Sequence, residues 1–269
     1  MKLSIVLSTQ PAQFQAATFK GDLEKNLESI AGMGYDGVEL AIRDPQQIDA
    51  HGLPRLIRLH GLQVPAIGTG QAWGEEGLSF TDPDPSVRAA AVERIQSHIP
   101  LAARLGAVVI IGLIRGTVRP GTDPAQAAGW LVEALQVCSA AAGRDGVRLA
   151  LEPINRYETS LIQTAAQAMQ LIERTGAVNL GLLLDTFHMN IEEADIGESI
   201  RRSAAGIFHF HVADSNRLYP GAGHLDFKAI LDTLFASGYR GWVSGEFLPV
   251  PDAQSAARQA IAHLRGLQE

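Results

Sequence analysis

The stretch Leu149-Ala150-Leu151-Glu152-Pro153-Ile154-Asn155-Arg156-Tyr157-Glu158 is an apolar run that ends on a carboxylate, is stopped by a proline and passes into a polar loop with a second carboxylate. Pro153 has no N–H to continue a ladder and restricts Glu152 to extended backbone, so the pattern predicts a strand that holds Glu152 at its C-terminal mouth. One acid in such a place is ordinarily a solvated surface group. Working outward, three further strand-like runs carry a polar group at the same end. Asp185 ends Leu182-Leu183-Leu184-Asp185-Thr186-Phe187-His188, His211 lies late in residues 207–212, and Glu246 lies late in residues 242–247.

These four runs are the second half of a longer alternation. Strand-like runs at residues 3–8, 37–41, 64–68, 108–113, 148–152, 180–185, 207–212 and 242–247 alternate with eight amphipathic segments, which is the mark of successive βα units. The run 108–113 is continuously apolar and β-branched, as a parallel strand covered on both faces requires. Helix starts are marked by Asp84-Pro85, by the Thr164…Gln167 capping box and by Asp226. Eight such units form either an open doubly wound sheet or a closed (β/α)8 barrel. An open sheet would spread the polar strand ends over many strand spacings. A barrel brings all eight to one mouth, so the sequence predicts the α/β class with a (β/α)8 barrel, the TIM-barrel architecture.

Nothing divides the 269 residues: there is no Ser/Gly/Pro linker, low-complexity tract or block of like charge, so one domain over residues 1–269 is expected. Apolar residues make up 46% and charged residues 19%, and no apolar stretch is long enough to span a bilayer. The chain enters a strand at once with no tripartite leader, which predicts a cytoplasmic protein with no membrane partner. The lone Cys138 sits in a helical Ala/Leu pattern and is given no chemistry. A net charge of −7 argues against nucleic acid, whose backbone is met by clustered Lys and Arg. A small-molecule substrate and a homo-oligomer, dimer or tetramer, are expected.

Glu152, Asp185, His211 and Glu246 fall at one level of the barrel. Three carboxylates brought together would repel one another and resist ionisation, and a divalent cation at their centre removes the conflict. Three oxygen donors and an imidazole, with no thiolate, point to Mn²⁺ first, with Mg²⁺ or Co²⁺ as alternatives, rather than to a closed structural zinc. His209 reads as a hydrogen-bonded core residue. Glu158, His188 and Arg217 lie in the loops that follow, where a carboxylate, an imidazole and a guanidinium suit a polyhydroxylated substrate.

On these motifs the chain resembles the ketose 3-epimerases, among them D-tagatose and D-psicose 3-epimerases, within the xylose-isomerase-like barrels. The likeness runs nearly end to end. It implies that Glu152, Asp185, His211 and Glu246 bind one metal ion and that Glu158, His188 and Arg217 hold the substrate. Phe19-Lys20-Gly21-Asp22-Leu23, Ala41-Ile42-Arg43-Asp44-Pro45, Ile67-Gly68-Thr69-Gly70-Gln71-Ala72 and Asn190-Ile191-Glu192-Glu193 are similar to the 5-keto-L-gluconate epimerase branch. The resemblance implies a carbohydrate epimerase that inverts the carbon beside the ketone of a keto-sugar or keto-uronate through an enediolate. Glu152 and Glu246 would remove and return the proton on opposite faces. A keto-uronate needs a cation for its carboxylate, and Arg43 after strand two and Arg115 after strand four are expected to reach the mouth. Other readings are a general ketose 3-epimerase, a hydroxypyruvate or aldose–ketose isomerase, a metal-dependent endonuclease and a non-catalytic sugar-binding protein. The acidic balance opposes the endonuclease, and the Glu152/Glu246 pair would have no evident purpose in a mere binder.

Overall fold

A computed structural model of the chain describes residues 1–267. Eight parallel strands close in sequence order: β1 (Lys2–Ser8), β2 (Gly37–Ala41), β3 (Ala66–Gly68), β4 (Val108–Ile111), β5 (Leu149–Leu151), β6 (Leu180–Asp185), β7 (Ile207–Val212) and β8 (Trp242–Gly245). The barrel shuts where β1 pairs with β8, with Lys2 opposite Trp242 and Ile5 opposite Gly245. The barrel expected from the alternation is the fold observed.

Between the strands run α1 (Leu23–Gly32), α2 (Gly52–Leu59), α3 (Gln71–Glu76), α4 (Pro85–Leu105), α5 (Pro124–Arg144), α6 (Ala165–Thr175), α7 (Thr186–Glu192), α8 (Ile196–Ser203), α9 (Phe227–Ala236) and α10 (Ala253–Gly266). Their starts follow local chemistry. Asp84 caps α4 by accepting from the Ser86 N–H ahead of Pro85, and Thr164 and Gln167 form both halves of a capping box on α6. Several strand ends differ from the periodicity. Leu113 belongs to a short 3₁₀ turn after β4, and Glu152 and Glu246 each stand one residue beyond their strands. Asp185 both ends β6 and caps α7, accepting from the Phe187 N–H, so His188 lies on a helix rather than in the expected loop.

Alternate strand residues divide between two cores. Leu3, Ile5 and Leu7 of β1, with Val38 and Leu40 of β2, pack outward beneath the helices. Inside the barrel the lining is unequal. Ala66, Val108, Ile110, Ala150 and Leu183 make an apolar cluster, whereas Ser4, Glu39, His209, His211 and Ser244 are buried polar groups from β1, β2, β7 and β8. Parallel pairing carries this polar side to the C-terminal mouth: Asp185 is opposite His211, and His211 is opposite Ser244, two residues before Glu246.

Candidate active site

Glu152, Asp185, His211 and Glu246 converge, each offering one ligand atom, and those atoms all lie within 4.8 Å of one another. His211 Nδ1 is 4.0 Å from Asp185 Oδ2 and 3.9 Å from Glu246 Oε2. Both His211 Nδ1 and Asp185 Oδ2 are buried without a hydrogen-bond partner. A buried polar atom in that condition costs about 1–3 kcal/mol, and two such atoms facing one gap have the geometry of unused ligands. The donor set fits a divalent cation that favours oxygen and imidazole.

Electrostatics lead to the same centre. Burial pushes the Glu152 carboxyl well above its usual value, and the neighbouring Glu246 charge pushes it further. Burial likewise raises Asp185, and it carries Glu246 up to about 7 against the pull of His211 and Arg217. With no cation between them, these acids hold protons that exposed carboxyls would have lost.

The rest of the constellation is held by its own bonds. Asn155, buried in the β5–α6 loop, donates from its amide to Glu158 Oε1 at 2.9 Å and to His188 Nδ1 at 2.8 Å. Because Nδ1 accepts, the His188 proton sits on Nε2, which faces Glu152 Oε1 at 3.7 Å. Burial, reinforced by the Arg217 charge, keeps His188 well below its usual value and therefore neutral. Arg217 donates from Nη1 to Glu158 at 2.7 Å, and its Nη2 lies 3.7 Å from Glu246. Its guanidinium also sits against the rings of Phe187 and Phe14. This placement needs a left-handed backbone at Arg217, φ 60°, a conformation that a non-glycine residue keeps only when its surroundings impose it. The surroundings here are the Asp214 turn, whose carboxylate accepts from the Ser215, Gly221 and Leu225 N–H groups, and the Leu248 N–H bonded to the Arg217 carbonyl.

The two arginines expected to reach the mouth are paired within the protein. Arg115 is fully buried and donates to the carbonyls of Glu152 and Ile162. It braces the loop that carries Glu152 and presents no free cation to a ligand. Burial lowers it to about 10 even with Glu152 and Glu158 nearby. Arg43 is paired with Glu76 at 3.3 Å. Neither residue lines the cavity of about 200 Å³ at the C-terminal mouth. That cavity is bounded by Phe14, Trp73, Leu113 and Ile154 on its apolar side, and by the acid cluster, His188 and Arg217 on the other.

Three residues escaped the sequence reading. Asn155 was one of many polar loop residues and carried no distinguishing signal. Gly112 was hidden in an apolar run, yet a Cβ there would stand 2.7 Å from Glu152 Oε2. Glu39 left a signal that was passed over, since a carboxylate in the middle of the apolar run Gly37-Val38-Glu39-Leu40-Ala41 has no solvent to meet.

A family model described as a xylose isomerase-like TIM barrel matches residues 27–267. Among curated proteins, the L-ribulose 3-epimerase of Mesorhizobium japonicum is 37% identical over 235 residues, covering 87% of this chain and 78% of that protein. The 3-dehydro-D-guloside 4-epimerase of Escherichia coli K12 is 28% identical over 263 residues, 93% of this chain and 96% of its own. Among solved structures, one of L-ribulose 3-epimerase superposes with a TM-score of 0.85 at 32% identity, covering 99% of this chain and 94% of the other. No helix among the described residues is long and apolar enough to cross a membrane.

Proposed function

The chain belongs to the xylose isomerase-like TIM-barrel family and is an isomerase of the carbohydrate-epimerase kind, and we propose that it inverts the carbon beside the ketone of a neutral keto-sugar. The observation that carries this reading is the meeting of Glu152 and Glu246, two carboxylates from different strands, at one gap with Asp185 and His211. We read residues 1–269 as one domain built around that gap.

Glu152, Asp185, His211 and Glu246 would hold one divalent ion, with Mn²⁺ favoured by three oxygens and one imidazole. Such an ion would supply a Lewis acid that polarises the ketone and offsets the negative charge developing on it. Glu152 and Glu246 then do the proton work. One removes the C–H proton from one face of the carbon and the other delivers a proton to the opposite face, with the roles exchanged in the reverse direction. Standing on different strands, the two carboxylates can meet opposite faces of the carbon, as the exchange of a proton between faces requires. Neutral His188, with Nε2–H directed inward, donates to a substrate oxygen, and Glu158 and Arg217 fix hydroxyls at the rim.

The choice between a neutral ketose and a keto-uronate rests on charge. Five carboxylates (Glu39, Glu75, Glu152, Glu158 and Glu246) line the cavity against one guanidinium, Arg217, which is already bonded to Glu158. The ion that Glu152, Asp185, His211 and Glu246 would hold offsets their charge and is committed to the ketone end of the substrate, so a carboxylate at the far end would meet Glu75 and Glu158 with no unpaired guanidinium beside it. Relatives named for L-ribulose and for a 3-dehydro-D-guloside, both uncharged molecules, support the same choice. Of the keto-sugar and keto-uronate expected from the sequence, these observations favour the keto-sugar.

The test is a panel of ketoses and matched keto-uronates incubated with Mn²⁺ in D₂O, with products separated by chromatography. Inversion of a neutral ketose, with solvent deuterium at the inverted carbon, is expected. An aldose product would make the enzyme an aldose–ketose isomerase, and faster turnover of a keto-uronate than of its neutral counterpart would overturn the charge argument.

A further inference from the structure

Glu39 stands in the middle of β2, 1% exposed, below the proposed metal ligands and outside their set. It is the sole carboxylate on the interior of the first four strands, and it reaches across the barrel to β7. His209 Nε2 lies 2.7 Å from Glu39 Oε2, and His211 Nε2 lies 3.0 Å from each of its oxygens. A carboxylate can only accept, so both imidazoles donate from Nε2. With Nε2 committed to Glu39, the one nitrogen of His211 left to meet a ligand is Nδ1, the atom that is buried, unpartnered and directed at Asp185 and Glu246.

We propose that Glu39 is a positioning residue: by accepting the Nε2 hydrogen of His211 it fixes the tautomer and ring orientation that present Nδ1 to the cluster of Glu152, Asp185 and Glu246. The inference rests on the reading of that cluster as a metal site. Glu39, His209 and His211 also have the composition of a metal site of their own, but their nitrogens and oxygens stand at hydrogen-bond separations, 2.7 and 3.0 Å, which leaves protons and no ion between them. Partners that orient a ligating histidine typically carry about 10–100-fold in metal affinity when they are removed.

Two measurements test this. In wild-type protein loaded with Zn²⁺, a diamagnetic probe, long-range ¹H–¹⁵N correlation of labelled histidines is expected to show His211 protonated on Nε2 and metallated on Nδ1. By calorimetric titration with Mn²⁺, wild type is expected to take up one ion per chain, and Glu39→Gln to bind it about 10–100-fold more weakly. The amide is isosteric but offers one acceptor to two donors, so one buried N–H loses its partner and the metal-free melting temperature should fall by several degrees, about 2–10 °C, with the fold retained, while His211 loses its fixed orientation. A His211 protonated on Nδ1 in the zinc-loaded wild type overturns the proposal without recourse to any variant. So does a Glu39→Gln protein that keeps wild-type affinity, or a second ion bound at Glu39, His209 and His211. Wild-type protein that takes up no ion at all brings down the metal-site reading itself, a result separate from the other three.

Discussion

Gly112→Ala separates stability from catalysis at this site. Gly112 follows β4, and a Cβ built on it stands 2.7 Å from Glu152 Oε2, inside the 3.4 Å at which ordinary contact begins. The backbone of neighbouring strands is not among the atoms met, and Ile154 Cδ1 is a comfortable 3.9 Å away. The methyl group therefore presses on one thing, the tip of the Glu152 side chain, which must retreat by about 0.7 Å to reach ordinary contact. Moving the end of a side chain costs little folding energy, so the melting temperature should fall by no more than about 2–4 °C, the response to 1 kcal/mol in a chain of this size. Proton transfer is far less tolerant, since a displacement of about 1 Å in a reacting group can cost about 100-fold. A loss of about 10–100-fold in kcat is expected, about 1.4–2.7 kcal/mol in the barrier, with melting temperature and substrate KM near wild type. Calorimetry and initial rates on metal-loaded protein decide it. Wild-type kcat in the alanine variant would refute the placement of Glu152 against the reacting carbon, and gross unfolding would refute the claim that the methyl meets only a side-chain tip.

Three further outcomes follow from the geometry. Glu152→Gln and Glu246→Gln should each lose about 10²–10⁴-fold in turnover while still binding substrate, because an amide carries no proton; near-normal turnover in either, measured by product formation, removes that residue from the proton-transfer pair. Glu246 rises from 4.5 to about 7 on folding without metal, and a raised acid stabilises the fold fully below its unfolded pKa and loses that contribution as pH rises through the folded one, about 3 kcal/mol in all. Chelator-treated protein should thus melt lower at pH 8 than at pH 5, Mn²⁺ should bind more tightly across the same rise as the carboxyls ionise, and a metal-free melting temperature that climbs with pH would contradict the assignment. Arg115→Met should leave the Glu152 and Ile162 carbonyls unpaired, at about 1–3 kcal/mol each, so melting temperature and kcat should fall while the preference between neutral and charged substrates stays as it was; a changed preference would restore Arg115 as a substrate contact.

How much of this could be read from the chain depends on which physical constraint placed each residue. A parallel barrel needs strands apolar on both faces and helices with one apolar stripe, and that demand is written into every unit, so the eight alternations were legible. The convergence of Glu152, Asp185, His211 and Glu246 was legible for the same reason: each stands at or beside the end of its strand, where local sequence shows an apolar run giving way to a polar group. What local sequence did not disclose were the contacts made with residues distant along the chain. Arg115 was read as a loop cation free to reach the mouth because nothing near it in sequence discloses the two carbonyls, 37 and 47 residues away, that absorb its guanidinium. Arg43 was read alike, and its partner Glu76 lies beyond β3.

Glu39 shows the limit most clearly, because its partners His209 and His211 are 170 and 172 residues away and are brought beside it only when the barrel closes. The residue was still detectable. A carboxylate embedded in an apolar parallel strand costs several kcal/mol unless something pairs with it, so its presence in β2 requires buried donors on another interior strand. Of the eight strand-like runs, the seventh offers two histidines two residues apart and therefore on one face. The closed barrel turns that face inward and supplies the pair, so the burial that makes Glu39 costly also leaves His211 with a single nitrogen to offer the cluster above it.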